Sequence, residues 1–280
     1  MIIDLKNTYS ILEISGADAL VFLQGQMTND MNKAGSEIIF SGMCNPKGRL
    51  FAFVRIAKFN NVFYIISPKQ ITESIQKKLS MYVLRSQVKI CLMDSIQIFG
   101  VINQAEYIKS IANNNLIKLI TFPNQIDRNI FFCEDMGLTE LQLPCETSDD
   151  SNTWTAYDIS SGIPEIYPET QEKFLPHTCN LDIINAINFQ KGCYTGQEIV
   201  ARTQYLGKPK HRSFFGKVKA TNTLIPGQTI THDDSNVGTL VSYSLIDDEA
   251  LVLFEKIMSS PDDNLSLNDQ LIMSVKSFLN

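Results

Sequence analysis

Between residues 36 and 133 the chain runs through one strand-like stretch after another, with few helical interruptions and no glycine-rich turn joining a strand to a helix. "EIIFSGMC" enters the turn "NPKG" and leaves it through "RLFAFVRIAKF", with proline and glycine where a β-turn needs them, so this segment reads as a hairpin. "VFYIIS" follows and leads to a strong helix in "PKQITESIQKKLSMYVLRS", opened by Pro68, with Ile71, Ile75, Leu79 and Tyr82 at helical spacing. "VKICLMD", "IQIFGVI", "LIKLITF" and "NIFFC" then surround one short helix. Without a G-x-G-x-x-G turn or a regular alternation of strand and helix, the pattern argues against a dinucleotide fold and for an α+β one.

The flanks fit the same class. Ser15 with Asp18 is placed to cap a helix carrying Ala19, Leu20, Leu23 and Met27 on one face, and Gln24, Gln26, Thr28, Asn29 and Asp30 crowd its far end. After the polar stretch 146–153, Trp154, the only tryptophan, sits on a short helix ended by Gly162 and Pro164, and "NLDIINAINF" gives a further amphipathic segment. Beyond Gly207 short strands alternate with turns such as "IPGQ" and "HDDSN", the pattern of a small β-domain of about 75 residues.

With 280 residues the chain can build about two average domains without disulfides or metals. Net charge is -6. No run reaches the roughly eighteen apolar residues of a membrane span, and "MIIDLKNTYS" has neither a secretion nor a transit pattern. The expectation is a soluble, cytoplasmic protein with no membrane partner. Six cysteines include no C-x-x-C pair and the three histidines form no H-x-x-x-H pair, so neither a zinc site nor a self-contained iron-sulfur site is expected.

"KGCYTGQE", residues 191–198, carries the sharpest local signal. Thr195 and Glu198 match a capping box and Tyr194 with Ile199 a hydrophobic staple, which predicts a helix through "GQEIVARTQYL" ending at Gly207. Cys193 then lies just before the N-cap and close to Lys191, where a helix terminus and an ammonium both favour thiolate. It reads either as a functional thiol or as a small buried residue beside a turn made by Gly192 and Gly196. Downstream, Arg202, Lys208, Lys210, Arg212, Lys217 and Lys219 form a positive window with no acid between Glu198 and Asp233. That window suits phosphate or carboxylate groups, or is a solvated surface.

"KGCYTGQEIVAR" resembles the signature of the YgfZ family: folate-binding proteins related to the T-protein (aminomethyltransferase) of the glycine cleavage system, with roles in iron-sulfur cluster assembly or repair and in tRNA modification. "GADALVFLQGQMTND" at 16–30, "CNPKGR" at 44–49, "YVLRSQV" at 82–88, "SGIPEI" at 161–166 and "NLD" at 180–182 come in the family's order. The resemblance implies an α+β, three-domain ring of the T-protein type, with two interleaved folate-binding domains over 1–205 and a C-terminal β-barrel over 206–280. The implied cofactor is tetrahydrofolate or a derivative, whose pterin wants an aromatic or apolar slot and whose glutamate tail wants cations. Trp154 and Tyr9 are the aromatic candidates it implies. The sequence departs from the T-protein by carrying "LFAF", Leu50 to Phe53, in place of an aspartate pair, and Ser160 in place of a pterin-binding glutamate.

The expected function is therefore a folate-binding protein that supports assembly or repair of iron-sulfur clusters in client enzymes, including tRNA-modifying ones. Cys193 and Lys191 are the chemical pair. Trp154, Tyr9, Gly192, Tyr194, Gly196, Gln197, Glu198 and Arg202 are the cofactor-binding set. Partners are folate, iron-sulfur client or assembly proteins, and a weak tRNA contact through 202–219. A folate-dependent aminomethyl transferase and a plain RNA-binding module stand as alternatives.

Overall fold

The computed structural model describes residues 1–111, 117–123, 125–134, 147–219 and 223–279, so Cys145 and the first residue of the polar stretch 146–153 lie outside the described residues. The chain divides into two compact units, Met1–Gln24, Asp30–Phe40 and Val54–Ser151 against Gly25–Asn29, Ser41–Phe53 and Asn152–Asn280. The fold is mixed α and β and mostly sheet.

The first unit contains β1 (Ile2–Asp4), β2 (Tyr9–Ser15), α1 (Ala19–Gln24), β5 (Val62–Pro68), α2 (Lys69–Val83), β6 (Lys89–Leu92), β7 (Ile96–Ile102), α3 (Ala105–Ile111), β8 (Lys118–Phe122) and β9 (Gln125–Glu134). Two further strands, β3 (Ile39–Cys44) and β4 (Leu50–Phe59), each change unit part way along. One antiparallel sheet has the order β1-β7-β9-β8, and Tyr107 and Ile111 of α3 share its core with Ile2, Phe99, Val101 and Phe131. In the other, the Arg55–Phe59 part of β4 pairs with β5, β5 with β2 and β2 with β6. Ile71, Ile75 and Leu79 of α2 are buried as their spacing predicts, whereas Tyr82 is exposed, in the last turn before Leu84 breaks the helix at φ 46°.

The helix expected after Ser15 is shorter than its sequence pattern. Ser15 ends β2, and Asp18 uses its carboxylate to accept from the Gln87 amide at 2.7 Å instead of capping. Met27 lies beyond the helix, buried, in a bridge with Met43.

In the second unit the hairpin tip is held by Asn45, whose Oδ1 accepts from the amides of Lys47 (2.9 Å) and Arg49 (3.0 Å), an Asx turn that closes where "NPKG" predicts it. α4 (Ser151–Ser160) carries Trp154. The amphipathic segment at 180–189 is a run of turns, because Asn180 and Asn185 take left-handed φ of 57° and 56°; Leu181 and Ala186 still point inward. After α5 (Gln197–Tyr205) come β10 (His211–Lys219), β11 (Thr229–His232), β12 (Ser235–Ile246), β13 (Glu249–Ile257), β14 (Leu265–Leu267), β15 (Gln270–Leu271) and β16 (Met273–Ser277). They form one antiparallel sheet in the order β15-β14-β11-β12-β13-β10-β16 over a core of Phe214, Ile230, Leu240, Val252, Phe254 and Ile272.

A polar clasp fixes the turn-rich segment to β10. Arg212 donates to both carboxylate oxygens of Asp182 at 2.6 and 2.9 Å and to the His177 carbonyl at 3.1 Å, while Asn180 donates to Ser213 O at 2.9 Å. A planar guanidinium meets a carboxylate through two parallel bonds only in a fixed orientation, so the pair sets where 177–182 lies.

Candidate functional site

The site is built from the polar run at 27–29 upward. Thr28 Oγ1 donates to Ala186 O at 2.7 Å and accepts from the Gly42 amide at 2.7 Å, and Asn29 Nδ2 donates to Asn185 O at 2.9 Å. These bonds hold the bent run 27–29 so that the carbonyls of Met27 and Asn29 face one point. Lys191 occupies it: its Nζ donates to Met27 O at 2.7 Å and to Asn29 O at 2.8 Å, and lies 5.3 Å from the centre of the Tyr194 ring. The ammonium thus anchors the 191–196 loop, a role its sequence position beside Cys193 did not disclose.

The other end of the loop is fixed by packing. Thr195 N donates to Gly25 O at 3.2 Å. Gly196 has φ +83°, and a Cβ there would stand 2.5 Å from Asn45 O and 2.9 Å from Gly48 Cα. Gly196 is therefore a packing residue against the hairpin turn. Gly192 differs: nothing lies within 4 Å of where its Cβ would be. Tyr194 is buried, and its hydroxyl is pushed well above the ordinary tyrosine range by burial first and then by Cys44. Between these fixed points Cys193 is exposed.

The capping box is corrected. α5 begins at Gln197, its N-cap is Gly196 in the left-handed region, and no side chain caps it. A residue at φ +83° must precede the helix for the loop to reach the hairpin, which moves the N-cap off Thr195. The helix stops at Tyr205, short of Gly207. Glu198 is exposed, and Arg202 lies exposed in the last turn.

The two aromatic candidates stand in different units. Trp154 is 0% exposed, so it shows no open face to a pterin. Tyr9 is 2% exposed with the Arg55 guanidinium 4.9 Å from its ring centre, and it borders a cavity of ≈ 380 Å³ in the first unit. Lys6, Lys69, Glu73 and Asp94 line the same cavity. Carboxylates suit the amino-pyrimidine edge of a pterin and lysines suit a glutamate tail, so the charged lining of this cavity matches folate chemistry, while the rings of Tyr9 and Trp154 are both buried. Leu50, Ala52 and Phe53, at the expected aspartate positions, are fully buried, and Ser160 is exposed at the end of α4.

The positive window resolves into paired and unpaired cations. Arg212 is taken by Asp182 and Lys217 by Glu249 at 3.0 Å, while His211 Nδ1 lies within hydrogen-bond distance of Glu255 Oε2 at 2.6 Å. Arg202, Lys208, Lys210 and Lys219 have no ion-pair partner among the described residues. Among the described residues no three His, Cys, Asp or Glu side chains are grouped to hold a metal, and no helix is long and apolar enough to cross a membrane.

No family model matches the chain. An uncharacterized protein of Haemophilus influenzae is 36% identical over 214 residues, covering 75% of this chain and 71% of its own. The tRNA-modifying protein YgfZ of Aliivibrio fischeri is 31% identical over 217 residues, covering 74% of this chain and 68% of its own. Among solved structures, the glycine cleavage system aminomethyltransferase T from Bartonella henselae superposes with a TM-score of 0.75 at 11% identity, over 99% of this chain and 85% of that one. The shared fold together with the sequence match settles the kinship, and the chain belongs to the YgfZ family.

Proposed function

We propose that the protein supports assembly or repair of iron-sulfur clusters in client enzymes, including those that modify tRNA, and that Cys193 is its working thiol. The single observation that supports this most is Cys193 exposed on a loop whose flanks are both fixed, by Lys191 on two carbonyls and by Gly196 against Asn45. A structural cysteine gains nothing from such presentation; a thiolate that must reach a partner does. One thiolate supplies one ligand to an iron centre, so the cluster, as cargo, keeps its other ligands on the client or on sulfide. The test is complementation: Cys193→Ala in cells lacking the native protein, read by an iron-sulfur tRNA-modifying enzyme. Loss of rescue supports the reading, and full rescue removes the thiol from it.

Tetrahydrofolate or a derivative is the ligand implied by kinship. Bound, it would supply a one-carbon carrier. Tyr9, Lys6, Lys69, Glu73 and Asp94 would hold it, and Trp154 would serve as packing beneath α4. Calorimetry with tetrahydrofolate should then show weaker binding for Glu73→Gln and Lys69→Gln and little change for Trp154→Phe. The opposite order would return Trp154 to the ligand.

An aminomethyl transferase reading draws on the aminomethyltransferase fold. The buried apolar run Leu50, Ala52 and Phe53 gives it no carboxylate at the expected positions. Turnover of an aminomethyl donor with tetrahydrofolate would favour it.

A further inference from the structure

The second unit contains a cavity of ≈ 500 Å³ at the C-terminal end of α5, lined by Leu175, His177, Leu206 and the cations Arg202, Lys208 and Lys210 among others. These cations are three of the four left without an ion-pair partner in the positive window, so what was a linear charge run converges, in space, on one opening. Arg202 belongs to the last turn of α5, where a cation also serves the helix carbonyls. Lys208 and Lys210 lie past that turn and have no such duty.

Leu175, Leu206 and Pro209 give the wall an apolar part beside Thr178, Thr203 and two histidines, and the adjoining surface is apolar too. Leu206 is 83% exposed and Tyr205 66% exposed. Tyr205 stacks edge-on against Phe189 at 6.1 Å, and Phe189 lies 6.0 Å from the His177 ring. His177 is 1% exposed, bonded through Nε2 to Gln204 at 3.1 Å, and its Nδ1 has no partner among the described residues. Three cations around one opening exceed what a single carboxylate calls for and match either a phosphate monoester, which carries a charge of about −1.5 to −2, or successive singly charged diesters of one strand. The volume exceeds a bare phosphate and falls in the range of small-molecule sites, about 300–1,000 Å³. Cations beside an exposed aromatic and aliphatic surface are what a nucleotide requires, its phosphate on the first and its base on the second.

We propose that this cavity is a nucleoside phosphate site, the nucleotide being either free or one unit of a single-stranded RNA. Arg202, Lys208 and Lys210 take the phosphate; Leu206 on the wall and Tyr205 on the surface beside it take the base and sugar. The site uses neither Cys193 nor the Tyr9 cavity, and it takes Arg202, expected from the sequence to bind the cofactor, for phosphate instead, so it stands or falls separately from the thiol and from that cavity.

The test is calorimetry of the full chain with adenosine monophosphate, with a short single-stranded oligoribonucleotide lacking terminal phosphate, and with tri-glutamate as a carboxylate control. Saturable binding of the nucleotide or the oligonucleotide is expected, weakened at least about tenfold in Lys208→Gln/Lys210→Gln by loss of two charge-assisted contacts. Tighter binding of the monophosphate assigns the free nucleotide as the source, and tighter binding of the oligonucleotide assigns the strand. Both lysines are exposed, so the variant keeps its fold, which circular dichroism verifies. Absence of saturable binding by both probes, binding unchanged in the variant, or tighter binding of tri-glutamate overturns the proposal.

Discussion

Gly196 approaches Asn45 so closely that a Cβ on the glycine would stand 2.5 Å from the asparagine carbonyl oxygen. That contact, with φ at +83°, makes Gly196 the fixed point from which both the 191–196 loop and α5 depart. Gly196→Ala should therefore destabilise by about 2 kcal/mol or more, adding left-handed strain to steric overlap. Gly192→Ala, with open space around it, should stay within about 0.5 kcal/mol of wild type. Urea midpoints of the two variants check this; equal midpoints would show that the hairpin turn gives way.

Lys191 is held by Met27 O and Asn29 O, so its charge is committed to anchoring the loop. Lys191→Met leaves both carbonyls without that donor and should cost about 2 kcal/mol. Proteolysis within 188–196 should quicken in parallel. A variant as stable and as resistant as wild type would make the ammonium dispensable to the loop.

These two residues also show what the sequence disclosed and what it withheld. Strand succession, the Asn45 turn and the apolar face of α2 follow from local periodicity and turn chemistry, and they are legible because neighbours in sequence determine them. The N-cap moved from Thr195 to Gly196 because a contact with residues 45–48, far away in sequence, outweighs the capping box. Thr28 and Asn29 were visible as a polar cluster, but their task, aiming carbonyls at Lys191, depends on bonds to Asn185 and Ala186. The charge window was visible too. Which of its cations are neutralised depends on Asp182 and Glu249, whose pairing no linear count contains.

Asp182 and Arg212 form a mostly buried pair, with side chains 13% and 11% exposed. Asp182→Asn leaves the guanidinium without its counter-charge and should cost about 3 kcal/mol, the low end for breaking a buried pair. The double variant Asp182→Asn/Arg212→Met should recover part of that loss. Unfolding free energies of the single and double variants decide it: a single variant within experimental error of wild type would remove the clasp from the account.

Thiol accessibility separates the cysteines. Cys193 is exposed, Cys91 is half-buried, and Cys44, Cys133 and Cys179 are buried. Burial, and then the charge of Glu255, push the Cys179 thiol well above the ordinary range, so it stays protonated and inert. A limiting amount of a thiol reagent applied to the native protein should modify Cys193 before the other described cysteines, as peptide mapping would show, and Cys193→Ser should lose that phase. Earlier labelling of Cys91 would mean that the loop is less open than its exposure indicates.

His177 gives the protein an acid sensitivity with a defined sign. Burial lowers its affinity for a proton below the ordinary value of 6.5; Asp182 and the bond to Gln204 oppose that shift, and Arg212 adds to it. The unfolded chain therefore takes up this proton at a higher pH than the folded one does. The stabilisation associated with a neutral His177 is complete above pH 6.5 and is lost as pH falls from there through the lowered folded value. His177→Gln cannot titrate, so the difference between its unfolding free energy and that of wild type should be constant above neutrality and should narrow on acidification. Because the other histidines and the carboxylates are common to both proteins, the difference curve isolates this one ring. A difference that stays flat as the pH falls from above 6.5 to well below it would show that the imidazole takes its proton as readily folded as unfolded, and that the wall formed by His177 is wetter than its burial describes.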